Sequence, residues 1–179
     1  MRGDSQHAMA LLKALMDSDV LKERANLLTS MLPELHAELA LAFALAGDTD
    51  EADRRLETGR AHTSSMRVAV LALPRVIVLA RRELWPLCLD FIANNRDGIR
   101  GLLRPHDARA VALVEAFALS QLSRDAYREA AAVRRIEDAL QDSRAHQPGE
   151  FDYLGSTWPE MRAFLAAYSK DPPIESARR

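Results

Sequence analysis

The chain has 179 residues, 48% of them apolar and 28% charged, with a formal net charge of -2 at pH 7, which is the arithmetic of one globular domain and excludes disordered and collagenous classes. A charge so near zero argues against a broad basic surface, and so against a nucleic-acid partner held by phosphate neutralisation. The single cysteine, Cys88, permits neither an internal disulfide nor a zinc set, and with no apolar leader and no run of roughly 18 apolar residues the expectation is a cytoplasmic protein without a membrane partner.

Along the chain, apolar residues recur at steps of three and four, while Gly and Pro fall between the periodic stretches. That pattern predicts an all-α fold. Helices are expected at 5–17, 19–31, 34–46, 50–62, 65–82, 85–95, 107–121, 124–143 and 157–169, about nine in one domain covering 1–169, with a frayed tail at 170–179. Asp19, Asp50, Asp107 and Ser123 stand where a side-chain oxygen can cap backbone amides, and Pro33, Pro86 and Pro159 stand near helix starts. Thr157 and Glu160 have capping-box spacing. Pro74, inside 65–82, is expected to remove the bond to the Val70 carbonyl and bend that helix. The stretch from Asn94 to His106, with two glycines and a proline, reads as a packed turn. Residues 145–156 read as a loop held down by Phe151, Tyr153 and Leu154.

A shift of 36 residues brings Ala40 onto Val76, Phe43 onto Leu79, Ala52 onto Cys88 and Leu56 onto Ile92. The segment carrying Leu39, Ala40, Phe43, Gly47, Asp48, Ala52 and Leu56 resembles the tetratricopeptide repeat. In the second copy Arg75 replaces the first large residue and Glu83 the turn glycine, while Trp85 takes the aromatic place after the turn, and a looser third pair carries Phe117, Ala118, Tyr127 and Ala130. The resemblance implies an α-solenoid of stacked antiparallel helix pairs and, by analogy of fold, a scaffold that binds a protein or peptide.

The first helices of the pairs are apolar all round and must be covered on every side. In an open stack their inner surface, built from Ala37, Leu41, Val70, Leu73, Ile77 and Val114, is an exposed apolar groove that marks an interaction site. Three covers are open: the C-terminal stripe of Trp158, Met161, Phe164, Leu165 and Tyr168, a second copy of the chain in a homodimer, or a partner's helix. Arg81, with Arg82, faces the negative end of a helix dipole or clamps a partner carboxylate at the groove's rim. Trp158 is either a core filler or an interface anchor. The expected partner-binding residues are therefore Leu41, Val70, Leu73, Ile77, Arg81, Val114 and Trp158.

No catalytic, cofactor or metal site is expected. His36 lies between Glu34 and Glu38, but residues two apart on a helix diverge and cannot converge on one substrate atom. Asp48, Asp50 and Asp53 imitate the start of a calcium loop without its glycine, so they read as turn and cap. Cys88 reads as buried and inert. Phe43→Ala is expected to cost much more stability than His36→Ala. The function expected is that of a non-catalytic helical-repeat interaction module of a bacterial type, with an inhibitor or immunity protein that blocks a toxin or enzyme as the alternative.

Overall fold

The structure, a computed structural model, describes residues 31–62, 69–102, 104–122 and 149–168, together with residues 10, 11, 13, 14 and 138. Apart from a few positions, the helices expected at 5–17, 19–31 and 124–143, the caps at Asp19 and Ser123 and the tail at 170–179 fall outside the described residues. Among the described residues every regular element is helical: α1 (Leu32–Ala46), α2 (Thr49–Ala61), α3 (Ala72–Arg81), α4 (Trp85–Asn94), α5 (Arg96–Leu102), α6 (Pro105–Leu122) and α7 (Pro159–Tyr168), with a 3-10 turn at Asp152–Gly155. α3 packs against both α1 and α6, α2 lies across α1 and α3, and α4 lies across α3 and α6. The result is an inner row α1, α3, α6 and an outer row α2, α4.

Composition explains which helix takes which row. Seven of the thirteen residues of α2 are charged, and it buries only Ala52, Leu56 and Gly59. α6 buries every residue from Ala110 to Ser120, so it must have neighbours on all sides. Pro33 opens α1, where its missing N–H has no helical partner. The Asp48 carboxylate accepts from the Glu51 amide at 3.1 Å and caps α2. The cap is thus Asp48 and not Asp50, whose carboxylate instead receives Arg82 at 2.7 Å. The calcium-like acids are accounted for in the same way, because Asp53 takes both Arg75 and Arg82.

The 36-residue correspondence extends to the backbone. α1 ends with Gly47 in the left-handed region (φ +92°), its N–H donating to the Ala44 carbonyl and that of Asp48 to the Phe43 carbonyl. Thirty-six residues later Glu83 is left-handed too (φ +57°), donating to Ala80, while Leu84 donates to Leu79. Both turns are the same C-terminal helix stop. Ala40 and Val76, Ala52 and Cys88, and Leu56 and Ile92 are buried as pairs. Because left-handed backbone costs a non-glycine residue roughly 1–2 kcal/mol and glycine's extra unfolded freedom costs back about 0.5–1 kcal/mol, Glu83→Gly is expected to raise stability by about 0.5–1 kcal/mol. A urea midpoint that falls or stays put would contradict that account of the turn.

Three expectations are corrected. Pro74 does not bend a long helix: α3 begins at Ala72 after a 3-10 turn at 69–71, so Pro74 sits in the first turn, where its amide has no partner to lose. The stretch from Asn94 to His106 is not simply a turn, since it holds α5; burial of Ile99 against the core outweighs the weak helix propensity of Gly98 and Gly101. The ranking of Phe43 above His36 also changes. Phe43 is half-buried, whereas His36 is buried, packs on Gly59 and stacks on His62 with ring centroids 6.1 Å apart. The two substitutions are expected to cost similar amounts.

Candidate functional site

One face of α1, from Glu34 to Leu45, and the N-terminal ends of α3 and α6 surround one open cavity of about 420 Å³. Its apolar lining is Ala37, Leu41, Leu45, Val70, Leu73 and Pro74; Glu34, Glu38, Arg104, His106, Asp107 and Tyr153 complete it. The volume falls within the roughly 300–1,000 Å³ of small-ligand and side-chain pockets.

The rest of the inner surface is taken by the chain itself. Residues 149–158 run from the start of α6 to the ends of α1 and α3. At the near end the Glu150 carboxylate receives Arg109 and lies 3.0 Å from His106 Nδ1, whose ring stacks on Phe151 at 5.5 Å. At the far end the Thr157 hydroxyl donates to the Leu45 carbonyl. The Arg81 guanidinium donates to that same carbonyl at 2.8 Å and to the Thr157 hydroxyl at 2.7 Å, and lies 4.9 Å from the centre of the Trp158 ring. Phe151, Leu154, Trp158 and Met161 are buried in the same core as Ile77 and Val114. The loop expected at 145–156 is, over its described part, packed down by the residues named for it, and Phe164 and Leu165 pack against the core from α7. Tyr168's side chain lies outside the described residues. Thr157 and Glu160 form no capping box, because the hydroxyl is committed to Leu45 and Arg81.

Each expected partner-binding residue can now be placed. Leu41, Val70 and Leu73 line the cavity, Leu41 and Val70 partly exposed and Leu73 buried in the core beneath them. Ile77, Val114 and Trp158 lie in the core. Arg81 is engaged with Leu45, Thr157 and Trp158, so its fork is filled from within the chain. Sequence reasoning missed the polar half of the cavity, Glu38, Arg104, His106, Asp107 and Tyr153. Arg104, His106 and Asp107 stand at the start of α6, but nothing in the sequence says that this start converges with Glu38 of α1 and Tyr153 of the 3-10 turn.

The polar groups differ in character. Burial pushes the Tyr153 phenol up, and the carboxylates of Asp107 and Glu150 add to the shift, so the hydroxyl keeps its proton as a donor. Burial pushes the His36 imidazole down, helped by Arg55 and His62, in keeping with a neutral packing residue. A second hollow of about 200 Å³ is lined by Ile92, Ile99 and Val111 and by charges that pair internally, Arg96 with Glu115 at 2.7 Å and Arg109 with Glu150. No group of three or more His, Cys, Asp or Glu side chains among the described residues is placed to hold a metal ion, and no helix among them is long and apolar enough to cross a membrane.

Cys88 is fully buried, with its Sγ 3.7 Å from the Val76 carbonyl. Burial, with a smaller contribution from Glu115, pushes the thiol up to about 12. The neutral form is the one that fits the fold. Its stabilisation is whole below the unfolded thiol's value of about 8.5 and is lost as pH rises from there through about 12. Urea midpoints are therefore expected to fall between pH 8.5 and 10.5 more steeply for the native chain than for Cys88→Ala. Parallel slopes would contradict the burial argument. No family model matches the chain, and no curated protein or solved structure matches it either.

Proposed function

We propose that this chain is a non-catalytic interaction module of tetratricopeptide type, working in a cytoplasmic compartment, whose open inner cavity receives a segment of another protein. The observation that carries this reading is the cavity itself: the chain's own residues 149–158 bridge the inner row from the start of α6 to Leu45, and beside them, among the described residues, Leu41, Leu45 and Val70 stay partly exposed over a buried floor of Ala37, Leu73 and Pro74. A concave, partly exposed apolar surface within a charged frame is the usual form of a docking site. The matching helix stops at Gly47 and Glu83 support a repeated helix pair. The polar groups at the mouth pair with one another, Arg104 with Glu38 and His106 with Glu150, an arrangement suited to orienting a bound segment.

The test places a photoreactive side chain at position 41, on the cavity wall, and as a control at position 57, on the outer helix α2. A partner captured through position 41 and not through position 57, which then binds the purified chain and loses at least about tenfold in affinity to Leu41→Asp, is the expected outcome; about tenfold corresponds to one anchoring apolar side chain. Capture that is equal from both positions would remove the cavity from the reading. Crosslinks between two copies of the chain would make the partner the chain itself.

A further inference from the structure

The cavity's frame carries information about the chemistry of its occupant. Its floor is aliphatic, from Leu41 and Leu73. Its mouth is spanned by Arg104, at the start of α6, whose Nη2 lies 2.8 Å from Glu38 Oε1 on α1 and whose Nε lies 3.7 Å from Asp107 Oδ2. The Arg104 side chain is 74% exposed, while that of Asp107 is only 22% exposed. The fixed part of the mouth is therefore the Asp107 carboxylate; Glu38, on a different element, is 46% exposed, and the guanidinium between the two carboxylates is the most loosely held part. Tyr153 lines the cavity as well, its ring centre 5.8 Å from that of His106.

Resting on the docking reading above, we propose that the occupant is a partner segment presenting an aliphatic side chain next to an arginine or lysine, whose cation takes the place between Glu38 and Asp107 that Arg104 holds in the free protein. Arg104 shows that the place accepts a guanidinium. An ion pair this exposed contributes little, so an incoming cation already anchored by an apolar neighbour can exchange with it. An acidic segment would meet two carboxylates, one of them mostly buried, and a guanidinium already engaged by both.

The test uses small probes that reproduce the two halves of such a side-chain pair. The full chain, methyl-labelled at leucine, is titrated at low ionic strength with hexylguanidinium, hexanol and hexanoate, and binding is read from the Leu41 and Leu73 methyl resonances. Hexylguanidinium is expected to bind about fivefold more tightly than hexanol, the scale of a partly exposed ion pair, with hexanoate weakest. Arg104→Ala is expected to tighten hexylguanidinium binding, and Glu38→Gln combined with Asp107→Asn to erase its advantage over hexanol. The circular dichroism and melting of each variant should match those of the native chain. If hexanol, hexanoate and hexylguanidinium bind alike, or hexanoate binds best, the cation is wrong and the docking cavity stands. If none moves the two methyls in the millimolar range, the docking reading itself fails and takes this inference with it.

Discussion

A chain cut after Gly149 is expected to lose cooperative unfolding at 25 °C, to bind a hydrophobic dye and to self-associate, while retaining helical circular dichroism. The cut removes Phe151, Leu154, Trp158 and Met161, all buried in the main core. At about 1.5–3 kcal/mol for each large apolar side chain, the four contribute roughly 6–12 kcal/mol before ordering entropy is subtracted. The whole stability of a domain is about 5–15 kcal/mol, so the remainder cannot hold a fixed core. Local helix formation survives because it depends on neighbours in sequence, and the exposed inner row then finds a second copy. A shortened chain that stayed monomeric, silent to the dye and as resistant to urea as the full chain would show that residues 150–168 are an accessory strap and not part of the core.

Phe117→Ala is expected to lower stability by about 3–5 kcal/mol, the range for deleting a buried aromatic ring. Phe117 is fully buried and stands at the centre of three edge-on ring contacts, with Trp85 at 5.6 Å, Trp158 at 5.2 Å and Phe164 at 5.4 Å. It joins α4, α6 and the C-terminal segment, so no single neighbour can close the hole. A double-mutant cycle with Trp158→Ala is expected to give a coupling of about 0.5–1.5 kcal/mol, the value of an aromatic pair beyond its area. Phe43→Ala, which empties only a half-buried place, is expected to cost clearly less. Equal losses for Phe43 and Phe117 in urea titrations would mean that the aromatic cluster is not the centre of the core.

How far the sequence reached can be seen at single residues. Gly47 announces its turn because only glycine enters the left-handed region without strain, but Glu83 makes the same turn with nothing in its chemistry to signal it; the 36-residue spacing alone pointed there. Cys88 and Ile92 read as buried because they stand at positions equivalent to Ala52 and Leu56, and both are buried. Among the described residues the all-helical class, most helix positions and the inner and outer roles of α1 and α2 followed from apolar spacing, which registers interactions within about two turns of one helix. The same spacing put Leu41 and Leu73 on one surface, and both line the cavity. What spacing cannot register is which parts of that surface the chain covers by itself. Ile77 and Val114 share their core with Trp158 and Met161, and Arg81 meets Thr157 76 residues further on. The mouth of the cavity depends on Arg104 reaching Glu38 across 66 residues. Those pairings are set by how complete helices pack, through hydrogen bonds and ion pairs between groups far apart in sequence, so only the tertiary structure decided where the inner face is closed and where it stays open.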